Sequence, residues 1–104
     1  MSKRLAELTR LHEREPADPF LRYGIAMEHK KAGRHDDALA WFDKTLAADD
    51  TYCYAYYHKA QTLEDAGQPA EAKAVYQTGI ERAKACNDLH AAGEMQAALD
   101  LLDD

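Results

Sequence analysis

Small and aromatic residues recur along this chain at a spacing of 34 residues, as Gly33 and Gly67 do. The other pairs at this spacing are Ala26/Ala60, Ala38/Ala72, Phe42/Tyr76 and Leu46/Ile80. A period of roughly 20 to 50 residues is typical of repeat arrays, in which each unit is a small group of elements packed against its neighbours. The spacing therefore predicts two similar units in tandem.

Helix signals precede the first repeat. Ser2 is placed to accept hydrogen bonds from the first amides of a helix. Pro16 ends this helix, because the residue before a proline avoids the helical region. We predict an N-terminal helix over residues 2–15, equivalent to half a repeat. Its apolar stripe comprises Leu5, Leu8, Leu11 and His12.

Each repeat reads as a helical hairpin. We predict repeat 1 over residues 19–50, with Asp18 and Pro19 at its start and Gly33 between its helices. Repeat 2 spans residues 53–84 and is divided by Gly67 and Pro69. The predicted buried side chains are Leu21, Ile25, Ala26, Ala38, Leu39, Phe42, Leu46, Ala47, Ala72, Val75, Tyr76, Ile80 and Ala83.

Gly79 interrupts the second helix of repeat 2, where glycine costs about 1 kcal/mol relative to alanine. It is either a tolerated weak point or a site where the following helix approaches closely; we favour the close approach. A capping helix over residues 87–102, started by Asn87 or Asp88, would then cover the open end of the array. Its predicted inner face is Leu89, Ala92, Met95, Leu99 and Leu102, whereas Leu101 is predicted to be exposed.

These positions resemble the tetratricopeptide repeat, whose pattern is W-x2-L-G-x2-Y followed by A-x3-F. The matching residues are Ala26 and Ala60 for glycine, Ala38 and Ala72 for alanine, Phe42 and Tyr76 for phenylalanine, Ile25 for leucine, and Tyr56 for tryptophan. The departures are Arg22, His29, Asp50, Lys59 and Lys84. The resemblance implies an all-α, right-handed solenoid of antiparallel hairpins, a single domain over residues 1–104. The chain is also similar to small stand-alone bacterial proteins of this kind.

In that family the first helix of each hairpin lines a concave, protein-binding surface. The resemblance therefore places eight residues on a partner-binding groove: Phe20, Tyr23, Met27, Lys30, Tyr54, Tyr57, Gln61 and Glu64. One further 34-residue step leads to Asp88, Ala91 and Met95. The aromatic residues of this set could instead pack between the hairpins. The expected function is binding of a peptide segment or helix of a partner protein; the alternative is a self-associating scaffold, such as a homodimer.

Chaperone-linked members of the family share a clamp of Lys, Asn and Arg that holds acidic C-terminal peptides. The matching places hold Tyr23, Met27, His58, Ala91 and Met95. Without cations at these places, a terminal carboxylate would lose its solvation and gain no charge-assisted hydrogen bonds. We expect such peptides not to bind.

Composition argues against several other functions. The formal net charge of −6 disfavours non-specific nucleic-acid binding, and no segment approaches the roughly 20 apolar residues of a membrane span. The charged N-terminal residues do not resemble a signal peptide. We therefore expect a cytoplasmic protein without nucleic-acid or membrane partners. Cys53 and Cys86 form no CxxC motif and are expected to be reduced.

No catalytic or metal-binding motif is found. The histidines, at positions 12, 29, 35, 58 and 90, form no HExxH motif. The paired carboxylates, such as Asp36-Asp37, are adjacent in sequence, so on a helix they face different directions. Neither a phosphate-binding glycine loop nor G-x-S-x-G is present. We predict no enzyme activity, no cofactor and no metal site.

Overall fold

The structure, a computed structural model, describes residues 2–103, and this part of the chain forms six α-helices. They are α1 (Lys3–Arg14), α2 (Pro19–Lys31), α3 (His35–Ala48), α4 (Cys53–Asp65), α5 (Pro69–Ala85) and α6 (Leu89–Leu102). Each helix packs on the next, and α4 also contacts α2 and α6. The helices thus form two layers, α2–α4–α6 and α1–α3–α5. This is the predicted all-α helical-repeat solenoid.

Side-chain caps begin three of the helices as predicted. The Ser2 hydroxyl accepts a hydrogen bond from the Leu5 amide at 3.0 Å. The carboxylates of Asp18 and Asp88 accept from the amides of Phe20 at 2.9 Å and Ala91 at 3.1 Å. Each bond pairs a first-turn amide that has no partner within its helix.

Three helices are followed by a residue in the left-handed backbone conformation. Gly33 and Gly67 follow α2 and α4 with φ of +77°, a conformation that glycine adopts without steric cost. This similarity confirms that both hairpins turn in the same way. Asn87 takes the same role after α5 with φ of +61°, although the sequence suggested it only as a possible cap of α6.

The apolar core is continuous along the stack but uneven. The largest cluster joins α4, α5 and α6 around the fully buried Tyr76 and Met95. A second cluster joins α2, α3 and α4 around the fully buried Phe42. The third joins Leu5 and Leu8 of α1 to α2. Most residues of the predicted buried stripes therefore belong to the core or pack against it.

Gly79 lies where α4, α5 and α6 approach one another. A Cβ atom at this position would be 2.5 Å from the Met95 sulfur and 2.7 Å from the Tyr56 Cβ. Both distances are far shorter than a van der Waals contact, so the space exists only for glycine. The prediction of a close approach by the following helix is confirmed.

Three residues predicted to be buried are exposed. Leu11 is 48% exposed because α1 faces α2 through Leu5 and Leu8, and faces α3 through His12, whose ring lies 5.0 Å from that of Trp41. Leu89 is 66% exposed because α6 faces its neighbours through Ala91, Ala92, Met95 and Leu99. Ala47 is exposed, and the buried place near it is taken by Thr45, whose hydroxyl donates to the Trp41 carbonyl at 2.8 Å. The prediction that Leu101 is exposed is confirmed, at 75%.

A buried carboxylate on α2 was not predicted. Glu28 is 9% exposed and accepts a hydrogen bond from the Ser2 hydroxyl at 3.0 Å. The Arg4 guanidinium lies 3.7 Å from its second oxygen. Ser2 thus both caps α1 and joins it to α2. None of the helices in residues 2–103 has the length and apolar character needed to cross a membrane.

Candidate functional site

A row of five aromatic rings runs across the layer of α2 and α4. The ring centroids of Tyr52 and Tyr23 are 4.9 Å apart, and those of Tyr23 and His58 are 6.0 Å apart. His58 lies 5.2 Å from Tyr57, and Tyr57 lies 6.3 Å from Tyr54. Such ring–ring contacts hold side chains in defined orientations. The aromatic row, Tyr52–Tyr23–His58–Tyr57–Tyr54, is therefore a firm surface that joins the two hairpins.

The side chains of the aromatic row are half-buried, and those of Tyr23 and His58 are uncharged near neutral pH. Burial, followed by the neighbouring hydroxyls of Tyr52 and Tyr54, raises the pKa of Tyr23 to about 12. Burial also lowers the pKa of His58 below 6.5, and the nearby Lys30 ammonium lowers it further. The neutral His58 ring is held by a hydrogen bond with the Gln61 side chain at 3.2 Å. The row thus offers apolar ring faces with polar edges.

Two pockets continue this surface beyond Tyr57. The larger, the α4–α6 pocket, has a volume of about 360 Å³. The smaller, the α2–α4 pocket, has a volume of about 230 Å³. Gln61 and Glu64 line both, so the two pockets adjoin. The α4–α6 pocket is further lined by Tyr57, Tyr76, Glu94, Ala97, Ala98 and Leu101, and the α2–α4 pocket by Lys30 and Asp65.

Glu64 is fixed at the boundary of the two pockets. The buried Tyr76 hydroxyl donates a hydrogen bond of 2.5 Å to one of its carboxylate oxygens. Burial raises the pKa of Tyr76 well above its usual value, and the Glu64 carboxylate raises it further, so this hydroxyl remains a donor. Glu94 brings a second carboxylate to the α4–α6 pocket, with the His90 ring 2.8 Å away. This pocket is consequently acidic with apolar walls.

The eight residues predicted for the groove fall into three groups. Lys30, Tyr57, Gln61 and Glu64 line the pockets, and Tyr23 and Tyr54 belong to the aromatic row. Met27 is half-buried against the Phe42 cluster, and Phe20 is 58% exposed and lines neither pocket. The alternative of packing between hairpins holds in part, because the Tyr23 ring of repeat 1 packs against the His58 ring of repeat 2 with centroids 6.0 Å apart.

The expected continuation of the groove to Ala91 and Met95 is wrong. Both side chains are buried in the core, at 1% and 0% exposed. The cause is the length of α5, which has 17 residues where α3 has 14. The first residues of α2 and α4, Pro19 and Cys53, are separated by one repeat period of 34 residues. The first residue of α6, Leu89, comes two residues later than the same period would place it. Two residues rotate a helical face by about 200°.

Sequence reasoning missed several residues of this face. Glu94, Ala97 and Leu101 replace the expected α6 residues in the pocket. His58, considered in the sequence only for a metal motif and for the missing clamp, is the link between Tyr23 and Tyr57. The register of α6 could have been predicted from the sequence. The helical periodicity that begins after Pro69 continues as far as Ala83, so the second helix of repeat 2 is longer than the second helix of repeat 1.

Comparison with known proteins agrees with this architecture. The family model described as tetratricopeptide repeat matches residues 54–86, which include α5 and all of α4 except its first residue. The crystal structure of a tetratricopeptide repeat domain protein from Salinibacter ruber is 32% identical and superposes with a TM-score of 0.75, covering 83% of this chain and 96% of that one. A solution structure of a tetratricopeptide repeat domain protein from the same organism is 33% identical, with a TM-score of 0.78 over 84% of this chain and 88% of the other.

The same fold is found at greater sequence distance. The solution structure of a Bordetella parapertussis protein, 23% identical, has a TM-score of 0.87 and covers 99% of this chain and 90% of that one. The search of curated proteins gave no match. The repeat geometry, the matched repeat and the Salinibacter ruber structures together show that this chain belongs to the tetratricopeptide repeat family.

Proposed function

We propose that the face formed by α2, α4 and α6 binds a peptide segment or short helix of a partner protein, and that the chain has no catalytic role. Proteins of the tetratricopeptide repeat family generally mediate protein–protein interactions. The observation that carries the proposal is the aromatic row running into the two adjoining pockets around Gln61 and Glu64. Rigid tyrosines beside a concave pocket are typical of residues that dominate binding energy.

The charges of the two pockets indicate the type of segment that fits. Glu64 and Glu94 favour a lysine or arginine in the α4–α6 pocket, where its alkyl stem would pack on Tyr57 and Leu101. Lys30, in the adjoining α2–α4 pocket, favours a neighbouring acidic or amide side chain. The proposed partner segment therefore carries a basic residue and a nearby polar or acidic residue rather than a uniformly acidic sequence.

Selection from a displayed peptide library, followed by affinity measurement on two matched variants, tests this function. Leu101 and Leu89 are both on α6 and both strongly exposed, but only Leu101 lines the pocket. Burying a leucine contributes about 1.5–3 kcal/mol, so Leu101→Ala should weaken binding of the selected peptides about tenfold. Leu89→Ala should leave their affinity unchanged. Equal effects of both substitutions, or none, would contradict the proposal.

Self-association is the second candidate, favoured by exposed leucines at both ends of the stack. Leu11 lies on α1, between two shallow surface pockets, and Leu89 and Leu101 lie on α6. Sedimentation over a wide concentration range discriminates the two functions. We expect a monomer, whereas a dimer that Leu11→Glu dissociates would favour the scaffold.

A further inference from the structure

The two cysteines meet at one end of repeat 2. Cys53 is the first residue of α4, and Cys86 directly follows the last residue of α5. Their sulfur atoms are 3.7 Å apart, although 33 positions separate them in the chain. Cys53 is 5% exposed, whereas Cys86 is exposed to solvent. One cysteine of the pair is thus exposed and the other is buried beside it.

We propose that Cys53 and Cys86 form a reversible redox site that exchanges with low-molecular-weight disulfides such as oxidised glutathione. In the first step the Cys86 thiolate attacks one sulfur of oxidised glutathione, forming a mixed disulfide and releasing one glutathione thiolate. In the second, the Cys53 thiolate attacks the Cys86 sulfur and displaces the second glutathione. Two protein thiols are oxidised, one glutathione disulfide is reduced to two thiols, and the protons of Cys53 and Cys86 pass to solvent and the released thiolates.

The order of these steps follows from accessibility. A tripeptide disulfide can approach the exposed Cys86 sulfur but not the buried Cys53 sulfur. Burial, followed by the contact with Cys86, also raises the pKa of the Cys53 thiol to about 12. Cys53 is therefore protonated when oxidised glutathione arrives, so Cys86 is the attacking thiol and Cys53 is the resolving one.

The local backbone allows the remaining movement. A disulfide bond requires the two sulfurs to approach by roughly 1.7 Å. Cys86 lies outside the helices, in the short connection to α6 that contains Asn87 with φ of +61°. The approach can therefore be made by this connection while α4 and α5 keep their packing. The bridge would tie the start of α4 to the residue that precedes the turn into α6.

Incubation of the folded protein with oxidised glutathione, followed by intact-mass analysis, tests the site. The wild-type protein should lose two hydrogen atoms and both titratable thiols. Cys53→Ala should instead retain one glutathionyl group on Cys86, and Cys86→Ala should remain unmodified. A stable adduct on the wild-type protein, or two free thiols in excess oxidised glutathione, would overturn the proposal.

The equilibrium constant for exchange of the protein dithiol with oxidised glutathione shows whether the fold itself brings the two thiols together. Measured against glutathione, this constant should be at least about tenfold larger in the folded protein than in urea, which corresponds to 1.4 kcal/mol. By thermodynamic linkage, the bridge then stabilises the folded state by that amount. An equal or larger constant in urea would mean that the fold opposes the bridge, and the proposal would be wrong.

Discussion

A methyl group at Gly79 would overlap two side chains that have little room to move. The Tyr56 Cβ, 2.7 Å from the added atom, is fixed to the α4 backbone. Rotation of Tyr56 is further restricted because its hydroxyl donates to the Asp50 carbonyl at 2.9 Å. Met95 is flexible but fully buried, so its sulfur has no solvent to move into. We expect Gly79→Ala to push α4 and α6 away from α5.

Two effects of opposite sign determine the size of this change. Overpacking of a core typically costs about 1–3 kcal/mol, and the two overlaps place Gly79→Ala at the upper end. Alanine recovers about 1 kcal/mol through its helix propensity. The expected net loss is about 2 kcal/mol, which lowers the Tm of a domain of this size by roughly 8–16 °C.

Gly93→Ala is the matched control, because Gly93 lies in α6 with no atom within 4 Å of an added Cβ. It should raise stability by up to about 1 kcal/mol. Urea unfolding followed by circular dichroism measures both variants, and similar m-values would show that the denatured states are comparable. A Gly79→Ala variant as stable as the wild-type protein, or a shift of both variants in the same direction, would contradict close packing at Gly79.

Three further predictions concern the ends of the stack, the aromatic row and the partner. Deletion of residues 89–104 should expose Tyr76 and Ile80, whose burial is worth roughly 1.5–3 kcal/mol each; a truncated monomer with an unchanged Tm would contradict this role of α6. Folding favours the neutral His58 ring, because its pKa is below the ordinary value of 6.5. The contribution of the neutral ring to stability is therefore complete above pH 6.5 and is lost as the pH falls through the lower folded-state pKa. His58→Gln should flatten the dependence of the urea midpoint on pH in that range. An unaltered pH dependence would contradict this role of His58. A peptide ending in Glu-Glu-Val-Asp should show no binding by calorimetry, since Glu64 and Glu94 repel it; micromolar affinity would overturn this expectation.

The positions of the hairpins could be predicted because each turn depends on local chemistry. Gly33 and Gly67 adopt the left-handed conformation, and Asp18 and Asp88 cap the helices that follow them. Each of these features is encoded within a few residues. The buried alanines and aromatic residues then follow from helical periodicity, since both hairpins have neighbours on two sides.

The ends of the stack were less predictable, because burial there depends on which neighbours are missing. Leu11 and Leu89 lie on predicted apolar stripes but are exposed, because the terminal helices α1 and α6 turn other residues toward their neighbours. The burial of Glu28 depends on a contact with Ser2, 26 positions away, which periodicity does not reveal. On α6 the extra length of α5 changed the register, so the pocket contains Glu94 and Leu101 instead of the expected residues.

NMR titration with a selected peptide shows directly whether a partner segment binds the face of α2, α4 and α6. We expect the perturbed amide signals to include those of Lys30, Tyr57, Gln61 and Leu101. Signals of the outer layer, such as those of Ala74 and Thr78 on α5, should remain unchanged. If the largest perturbations instead occur on α1 around Leu11, or on the outer surface of α5, the proposed binding face is wrong.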